Sequence, residues 1–274
     1  MSRTASFATR FAFGDNWLRF SRTLDEGVVQ QAVQSFHSFL AHDLQGRTFL
    51  DIGSGSGLSS LAAIRLGARQ VVSFDLDPKS VQCSLNTKQA FSPSANHWSI
   101  QKGDVLEEAW MTSLPKFDVV HAWGVLHHTG QMWKAVTHAA GRAKVGGYLW
   151  IALYNDQGLI TRYWHLVKAM YGSCSVARFA VIALHLPYLV GARYIVRCLR
   201  GRPQLERGMS LWYDMKDWLG GYPFEVAKAE DLTDFLRKEG FVLIRSKLAG
   251  RRCGNNEFLF QKVTERGPCS EGQS

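Results

Sequence analysis

The chain has 274 residues, of which 46% are hydrophobic and 20% are charged, and its formal net charge is +9. These values are ordinary for a globular protein, and the length suffices to bury a sizeable core. The 5 cysteines are scattered, odd in number and without C-x-x-C spacing, which argues against a disulfide framework or a zinc site. We therefore expect a soluble cytoplasmic protein without a bound metal.

Residues 1–45 are expected to form a helical extension in front of the main domain. Residues 1–13 contain arginine and serine but no acid, a composition typical of a transit peptide. The aromatic residues of Phe11–Trp17 favour structured sequence instead. Apolar spacing then predicts a helix from Leu24 to Leu40.

A glycine-rich run opens the main domain. In Phe49–Leu58 an apolar strand ends at Asp51, and glycines follow at positions 53, 55 and 57 before a helix begins. Glycine lets backbone N–H groups approach a ligand that a side chain would exclude. The carboxylate suits a ligand with an amino group. The run is not a dinucleotide fingerprint, because Leu58 stands where the third glycine belongs, and it is not a P-loop, because no Lys-Ser/Thr pair follows.

Further predicted strands also end at polar residues. Strand Gln70–Asp75 ends in a carboxylate that could accept hydrogen bonds from both hydroxyls of a ribose, and Asp104 follows a third strand, in position for an exocyclic amine. A fourth strand, Phe117–Ala122, leads to two histidines, and Tyr148–Tyr154 is the fifth. In a doubly wound sheet, ligands bind outside the carboxyl ends of the strands, so these side chains are expected to share one site.

Taken in order, the motifs L-D-I-G-S-G-S-G, F-D-L-D-P, G-D-V, F-D-V-V-H-A-W-G-V-L-H-H and K-V-G-G resemble those of the class I S-adenosylmethionine-dependent methyltransferases. The resemblance covers roughly residues 46–154. It implies an α/β fold with a doubly wound, seven-stranded, mostly parallel sheet and a C-terminal antiparallel hairpin. It also implies S-adenosyl-L-methionine as the cofactor.

The same resemblance assigns roles around that cofactor. Asp51 and the glycine loop would hold the methionine part, and Asp75 the ribose hydroxyls. Leu76 would lie against the adenine, and Asp104 would reach the adenine amine, with the backbone N–H of Val105 beside it. The implied cofactor-binding residues are Asp51, Gly53, Ser54, Gly55, Gly57, Asp75, Leu76, Asp104 and Val105.

A basic, aromatic helical insert, residues 155–224, is expected to form a lid over the substrate. Residues 156–210 of this insert carry six of the nine net positive charges, with Arg193, Arg197 and Arg200 on one helix face. The apolar run Phe179–Val190 is expected to be too short and too interrupted to span a bilayer. Residues 176–200 could instead lie at a membrane surface. We favour a helical hairpin that is broken at Pro187 and packs on the core.

The chain then returns to the core in residues 225–263. Apolar patterns predict a helix, Ala229–Lys238, and two strands, Phe241–Lys247 and Glu257–Gln261, which fit the closing hairpin. Residues 264–274 combine glycine, proline, serine and charges and are expected to be disordered.

The acceptor is expected to be a hydroxyl of a small anionic or lipophilic molecule. The V-L-H-H and Y-P-F-E segments resemble the small-molecule branch of the family, which includes quinol methylases and sugar or natural-product O-methyltransferases. A hydroxyl must lose a proton during methylation, so His127 is expected to be the general base, with His128 as the fallback. The residues expected to shape the acceptor pocket are Trp123, Tyr154, Asn155, Trp212 and Tyr222.

Two other functions stay open. The basic insert could bind RNA, which would make the protein an RNA methyltransferase. Against this, no Asn/Asp-Pro-Pro-Tyr signature follows the fourth strand and no RNA-binding module is visible, so a nucleic-acid partner is disfavoured. The fold could also serve as a non-catalytic binding module, although such a module would not need the full set of glycines and carboxylates. The oligomeric state is left open.

Overall fold

The computed structural model describes residues 13–21, 23–40, 44–199, 211–250 and 254–265. In these residues seven strands form one sheet in the order β3-β2-β1-β4-β5-β7-β6. The strands are β1 Thr48–Ile52, β2 Gln70–Asp75, β3 Trp98–Lys102, β4 Phe117–Trp123, β5 Ala143–Tyr154, β6 Phe241–Lys247 and β7 Asn255–Lys262. The helices are α1 Phe13–Ser21, α2 Glu26–Leu40, α3 Leu58–Arg65, α4 Pro78–Phe91, α5 Glu108–Ser113, α6 Met132–Gly141, α7 Leu159–Ser173, α8 Ser175–Leu186, α9 Arg193–Leu199, α10 Leu211–Gly220 and α11 Ala229–Lys238.

The sheet is parallel from β3 to β5 and antiparallel at its other edge. Strand β1 pairs with both β2 and β4, so the direction of winding reverses between β1 and β4. Strand β7 runs antiparallel between β5 and β6. The predicted doubly wound sheet with a C-terminal hairpin is therefore confirmed.

Three strands differ from the expected bounds. Strand β4 ends at Trp123 rather than at Ala122, and strand β7 extends over Asn255–Lys262 rather than Glu257–Gln261. Strand β3 ends at Lys102, and Asp104 follows it in the loop, as expected. Strand β5 begins at Ala143 rather than at Tyr148, because the K-V-G-G segment is a bulge inside the strand and not a turn before it. Gly146 has a φ of 80° in this bulge, a conformation that glycine adopts without strain.

Helices cover both faces of the sheet, and each face has its own apolar core. On one face α5, α6 and α11 pack against the strands through residues such as Met111 and Leu232. On the other face α2 and α3 contribute Phe36 and Leu61 to a core that also contains the buried indole of Trp150. The N-terminal extension thus completes the second face, since α2 is part of that core.

The insert has a separate small core, which Trp164, Val181, Met215 and others build between α7, α8 and α10. Helices α7 and α8 form a hairpin that turns at Cys174.

The expected break at Pro187 is wrong. A proline inside a helix lacks the N–H for the usual bond, and here a wider π-helical turn, Pro187–Ala192, carries the chain on into α9. Ser175–Leu199 is therefore one helix of 25 residues, long and apolar enough by length and composition to cross a membrane. This corrects the expectation that its apolar run is too short and too interrupted.

Candidate active site

One cavity of about 1420 Å³ lies along the carboxyl ends of the parallel strands. Its walls come from three parts of the chain: helices α1 and α2 of the N-terminal extension, the strand ends and loops of the sheet, and the insert. A pocket for one small ligand typically measures about 300–1,000 Å³, so this cavity has room for a cofactor with an acceptor beside it. The sheet reverses its winding at this edge, which is where doubly wound sheets bind their ligands.

The loop after β1 brings bare backbone to the cavity. Gly53 and Gly55 have φ values of 68° and 52° and both line the cavity. A Cβ atom on Gly53 would come within 2.4 Å of the Val125 side chain, and one on Gly55 would lie 3.0 Å from the Trp17 ring. Both positions therefore require glycine, for conformation and for space.

The third glycine and the serine of this loop serve its packing on α4. Gly57 does not line the cavity, and a Cβ atom there would lie 2.9 Å from the Cα atom of Ser84. Its expected contact with the cofactor therefore stays a prediction. Ser54 lines the cavity, and its hydroxyl lies 3.0 Å from that of Ser84.

Asp75 joins the end of β2 to the glycine loop. Its Oδ2 accepts a hydrogen bond from the Gly55 N–H at 3.0 Å, and its Oδ1 accepts one from the Asp77 N–H at 2.9 Å. Burial raises the pKa of Asp75 to about 6, although these two bonds oppose the rise. A carboxylate offers about four acceptor positions, so two remain for the hydroxyls of a ribose.

Asp51 lies in a buried chain of hydrogen bonds. His121 Nδ1 donates to Asp51 Oδ1 at 2.8 Å, and the Ser60 hydroxyl donates to Oδ2 at 2.5 Å. Ser60 in turn lies 2.7 Å from the Ser73 hydroxyl, which accepts from the indole N–H of Trp98. Asp51 and His121 both line the cavity, so the carboxylate is presented to a ligand in one fixed orientation.

The remaining expected cofactor contacts lie on the same cavity. Leu76, Asp104 and Val105 all line it. The Leu106 N–H donates to Asp104 Oδ1 at 2.8 Å and so fixes that carboxylate in its loop. The structure therefore brings Asp51, Asp75 and Asp104 to one cavity, as one bound nucleoside with an amino acid part requires.

Helix α1 covers the glycine loop, and this packing was not predicted from the sequence. Phe13, Trp17 and Phe20 line the cavity on this side. The Gly14 N–H donates to Asp77 Oδ2 at 2.9 Å and so ties α1 to the start of α4. The aromatic density of this segment indicated that it is structured, but nothing in it indicated where it packs.

The two histidines after β4 lie in different surroundings. His127 is 1% exposed, does not line the cavity and packs under the Tyr154 ring at 3.9 Å between centroids. Burial lowers its pKa well below the usual value, and the charge of Lys168, together with that of His128 when it is protonated, adds to this effect. His128 lines the cavity, and its Nδ1 donates to the Pro223 carbonyl at 2.8 Å. The structure therefore favours His128, the fallback, over His127.

Three of the five expected acceptor residues line the cavity: Trp123, Tyr154 and Tyr222. Trp123 is held by its indole N–H, which donates to Glu257 Oε1 at 3.2 Å.

The other two do not reach it. The side chain of Asn155 turns away, because its amide donates to the Gly250 carbonyl at 2.9 Å. Trp212 lies on α10 with an exposed ring, and the Lys216 ammonium sits 4.8 Å from that ring's centroid.

The insert forms the far wall of the cavity through residues that sequence reasoning did not single out as acceptor contacts. They are mostly apolar or aromatic, and two are cationic. They include Ile160, Tyr163, Trp164, Tyr188, Arg193 and Arg197. The helical spacing of the two arginines was visible in the sequence, but their approach to the site depends on the fold of the insert.

The donor set fits S-adenosylmethionine. Three carboxylates suit the hydroxyls and amines of the cofactor. The glycine loop exposes backbone at positions where the Cβ atom of another residue would collide with neighbouring side chains. Among the described residues, no group of three or more His, Cys, Asp or Glu side chains is placed to hold a metal ion.

Comparisons with known proteins support a methyltransferase domain. A family model described as "Methyltransferase domain" matches residues 25–245. Short stretches match ribosomal protein L11 methyltransferases: that of Colwellia psychrerythraea is 54% identical over 43 residues, which is 16% of this chain and 15% of the relative. That of Klebsiella pneumoniae is 45% identical over 47 residues, 17% of this chain and 16% of the relative. The matches thus span only a small part of these relatives.

Solved structures share the fold along most of the chain. Magnesium protoporphyrin IX methyltransferase from Synechocystis PCC 6803, solved with bound SAM, has a TM-score of 0.53 and 17% identity, over 90% of this chain and 89% of that one. PKMT2 from Rickettsia typhi, in complex with AdoHcy, has a TM-score of 0.55 and 12% identity, over 84% of this chain and 52% of that one. Since the family model covers most of the chain and the fold agrees, the protein belongs to the class I S-adenosylmethionine-dependent methyltransferases.

Proposed function

We propose that the protein methylates a hydroxyl oxygen of a small, mainly apolar molecule of the phenol or quinol type. The observation that carries this proposal is the position of His128, which lines the same cavity as Asp51, Asp75 and Asp104. When bound, S-adenosylmethionine supplies an electrophilic methyl group on a positively charged sulfur. The cavity residues then have to orient the acceptor and take up its proton.

His128 is positioned to receive that proton as a neutral ring. The Pro223 carbonyl can only accept a hydrogen bond, so the Nδ1 of His128 carries a proton and Nε2 is the acceptor of the neutral ring. Burial and the charge of Lys168 lower the pKa of His128 to about 3, although the bond to Pro223 opposes this. The ring is therefore neutral at physiological pH and can accept a hydrogen bond from a hydroxyl.

The weak basicity of His128 also bears on the acceptor. A weak base takes a proton readily only from a hydroxyl that is itself acidic, which favours a phenol or quinol over a sugar alcohol. Alignment of acceptor and methyl group then carries much of the rate, because positioning alone can contribute on the order of 7–11 kcal/mol.

The walls of the cavity support a lipophilic acceptor with an anionic group. Tyr154, Tyr222 and Trp164 present aromatic surface that suits a flat apolar body. Arg193 and Arg197 add positive charge to the same lining, which attracts a carboxylate or phosphate on the acceptor.

A transfer assay with methyl-labelled S-adenosylmethionine tests the proposal. The acceptor panel contains phenols with apolar tails, the same tails ending in a sugar, and an unmodified RNA. We expect label on the phenolic oxygen and none on the sugar or the RNA. Label only in RNA would favour the RNA methyltransferase, and cofactor binding without transfer to any of a broad panel would favour a binding module.

A further inference from the structure

Helices α7 to α9 expose far more apolar surface than the rest of the chain. Fourteen of the 23 large apolar side chains that the described residues expose lie between residues 159 and 199. The most exposed are Leu159, Val176, Phe179, Leu184 and Leu199, at 78%, 79%, 74%, 73% and 82%. Only 17% of the most apolar window of helix 175–199 is buried, so this helix is not a core helix. A patch of this kind marks an interaction surface.

The charge of the same segment is of one sign. Residues 159–199 contain no aspartate or glutamate, whereas Arg162 and Arg178 are cationic and exposed. A surface that combines exposed aliphatic side chains with arginines and lacks acids is complementary to a bilayer that contains anionic lipids. Long arginine side chains can bury their stems in the interface and keep their guanidinium groups at the phosphates.

We propose that α7, α8 and α9 dock the protein on the surface of an anionic lipid bilayer, with their exposed apolar side chains in the interfacial layer. This surface, the exposed side chains of residues 159–199, is called the docking face below.

Contacts on the opposite side of the helix favour docking over crossing. Val181, His185 and Leu189 are buried against the rest of the insert. The Tyr163 hydroxyl and His185 Nε2 are hydrogen-bonded at 2.7 Å, and His185 Nδ1 donates to the Val181 carbonyl. Crossing a bilayer would strip the helix from these partners and leave polar groups in hydrocarbon.

The docking face also leads into the cavity. Ile160, Tyr163, Tyr188 and Val196 are exposed and line the cavity as well. An acceptor dissolved in the lipid could therefore enter the site without crossing water. This part of the inference rests on the proposed function, whereas docking itself does not.

Vesicle flotation with the 274-residue chain tests the docking. The probes are vesicles of phosphatidylcholine alone and of phosphatidylcholine mixed with phosphatidylglycerol. We expect the protein to float with the mixed vesicles and to be released by alkaline carbonate. A triple variant, Val176→Asp, Phe179→Asp and Leu184→Asp, should bind at least about tenfold more weakly, because it places negative charge in the interface.

A matched variant controls for changes in the fold. Leu85→Asp with Val145→Asp also charges exposed apolar positions, but away from the insert, and should float like the wild type. Circular dichroism and calorimetric titration with S-adenosylmethionine verify that both variants are folded and keep the cofactor site.

Several outcomes would overturn the inference. The first is that the wild-type protein does not float with either type of vesicle. The second is that the protein stays on the vesicles after carbonate extraction, which would indicate a spanning helix. The third is that the triple variant floats like the wild type. If the wild-type protein does not bind vesicles but binds RNA, the docking face would be an RNA-binding surface. If it instead forms a dimer that the triple variant does not form, the docking face would be a dimer interface. Cofactor binding reports on the methyltransferase site separately, so loss of flotation with intact titration concerns docking alone.

Discussion

At the scale of single residues, the cavity is lined by buried polar side chains whose hydrogen-bond partners determine which of their atoms can bind a ligand. Asp75, His128 and His121 each have a named partner that fixes one face of the side chain. Each therefore presents a known atom to a ligand. Substitutions at these positions separate cofactor binding from proton transfer.

The pKa of Asp75 predicts a pH-dependent affinity for the cofactor. It is raised from 3.8 to about 6, so the folded protein keeps a proton that the unfolded chain releases in this window. The resulting contribution to stability is present at low pH and is lost as the pH rises through about 6. Ionised Asp75 is the acceptor for ribose hydroxyls, so affinity for S-adenosylmethionine should fall by up to about tenfold per pH unit below 6.

Calorimetric titration between about pH 5 and pH 7.5 measures this effect. Asp75→Asn should bind weakly throughout and lose most of the pH dependence. A wild-type affinity that stays flat over this range would contradict the role given to the carboxylate.

The two histidines should respond differently to substitution. His128→Ala should lower kcat by about 100-fold or more, the usual contribution of a positioned proton acceptor, with little change in cofactor affinity. His127→Leu keeps an apolar side chain under Tyr154 and should lower kcat by less than about tenfold, since His127 does not line the cavity. Steady-state kinetics measure both, and the reverse order would restore His127 as the base.

His121 should matter for stability and for the orientation of Asp51. His121→Phe removes the donor to Oδ1 of the buried Asp51 carboxylate, leaves only Ser60 as its side-chain partner, and should destabilise the protein by roughly 3 kcal/mol in urea unfolding. His121→Asn keeps a hydrogen-bond donor and should cost clearly less. Equal losses in the two variants would show that packing against Phe36 and Trp150, rather than the bond to Asp51, is what His121 provides.

At the scale of secondary structure elements, the site depends on segments that are distant in sequence. The segment between α10 and α11 is hydrogen-bonded to the histidine turn, since the Glu225 N–H donates to the His127 carbonyl at 3.0 Å. The Glu225 carboxylate also accepts from the Met132 N–H and so caps the N-terminus of α6. These bonds hold His128 in place at the boundary between the core and the insert.

Helix α1 is the corresponding element on the cofactor side. Trp17 packs against Gly55, so Trp17→Ala should open the glycine loop to water and raise the Kd for S-adenosylmethionine by about tenfold. Arg19→Ala, an exposed change on the same helix, should leave the Kd unchanged. Calorimetric titration measures both. If Trp17→Ala bound normally, α1 would be a packing element without a part in binding.

At the scale of the whole molecule, one cavity connects the N-terminal extension, the sheet and the insert. A ligand that binds only the folded state therefore stabilises all three together. S-adenosylmethionine at about 100 times its Kd should add about 2.7 kcal/mol, and this should raise Tm by roughly 5–10 °C.

Thermal unfolding followed by circular dichroism tests this coupling. Gly55→Val places a side chain where the Trp17 ring already lies, and its Tm should not respond to the cofactor. A biphasic transition in which only one phase shifts would show that the insert unfolds separately.

The sequence predicted the fold because its signals are local. Glycines at alternate positions after Asp51, and acids that follow strands at Asp75 and Asp104, mark the ligand-binding edge within short windows. The order of these windows then implied the family.

Features that depend on tertiary packing could not be predicted in this way. The position of α1 over Gly55 joins residues far apart in the chain, and the helix through Pro187 depends on a π turn with no sequence signal that we recognised. The choice between His127 and His128 depended on which ring faces the cavity. The two residues are neighbours in a short 3-10 turn, so no repeating pattern of polar and apolar residues indicates which side chain faces inward.

The exposed side chains of the cavity lining also influence product release. Methylation of a hydroxyl removes its hydrogen-bond donor, so the proposed product partitions into oil more readily than the starting compound. Ile160, Tyr163, Tyr188 and Val196 are exposed, line the cavity and present hydrocarbon and aromatic carbon to a departing molecule. Under the proposed reaction, the methylated product is more soluble in lipid than the acceptor, so methylation itself favours release of the product from the cavity.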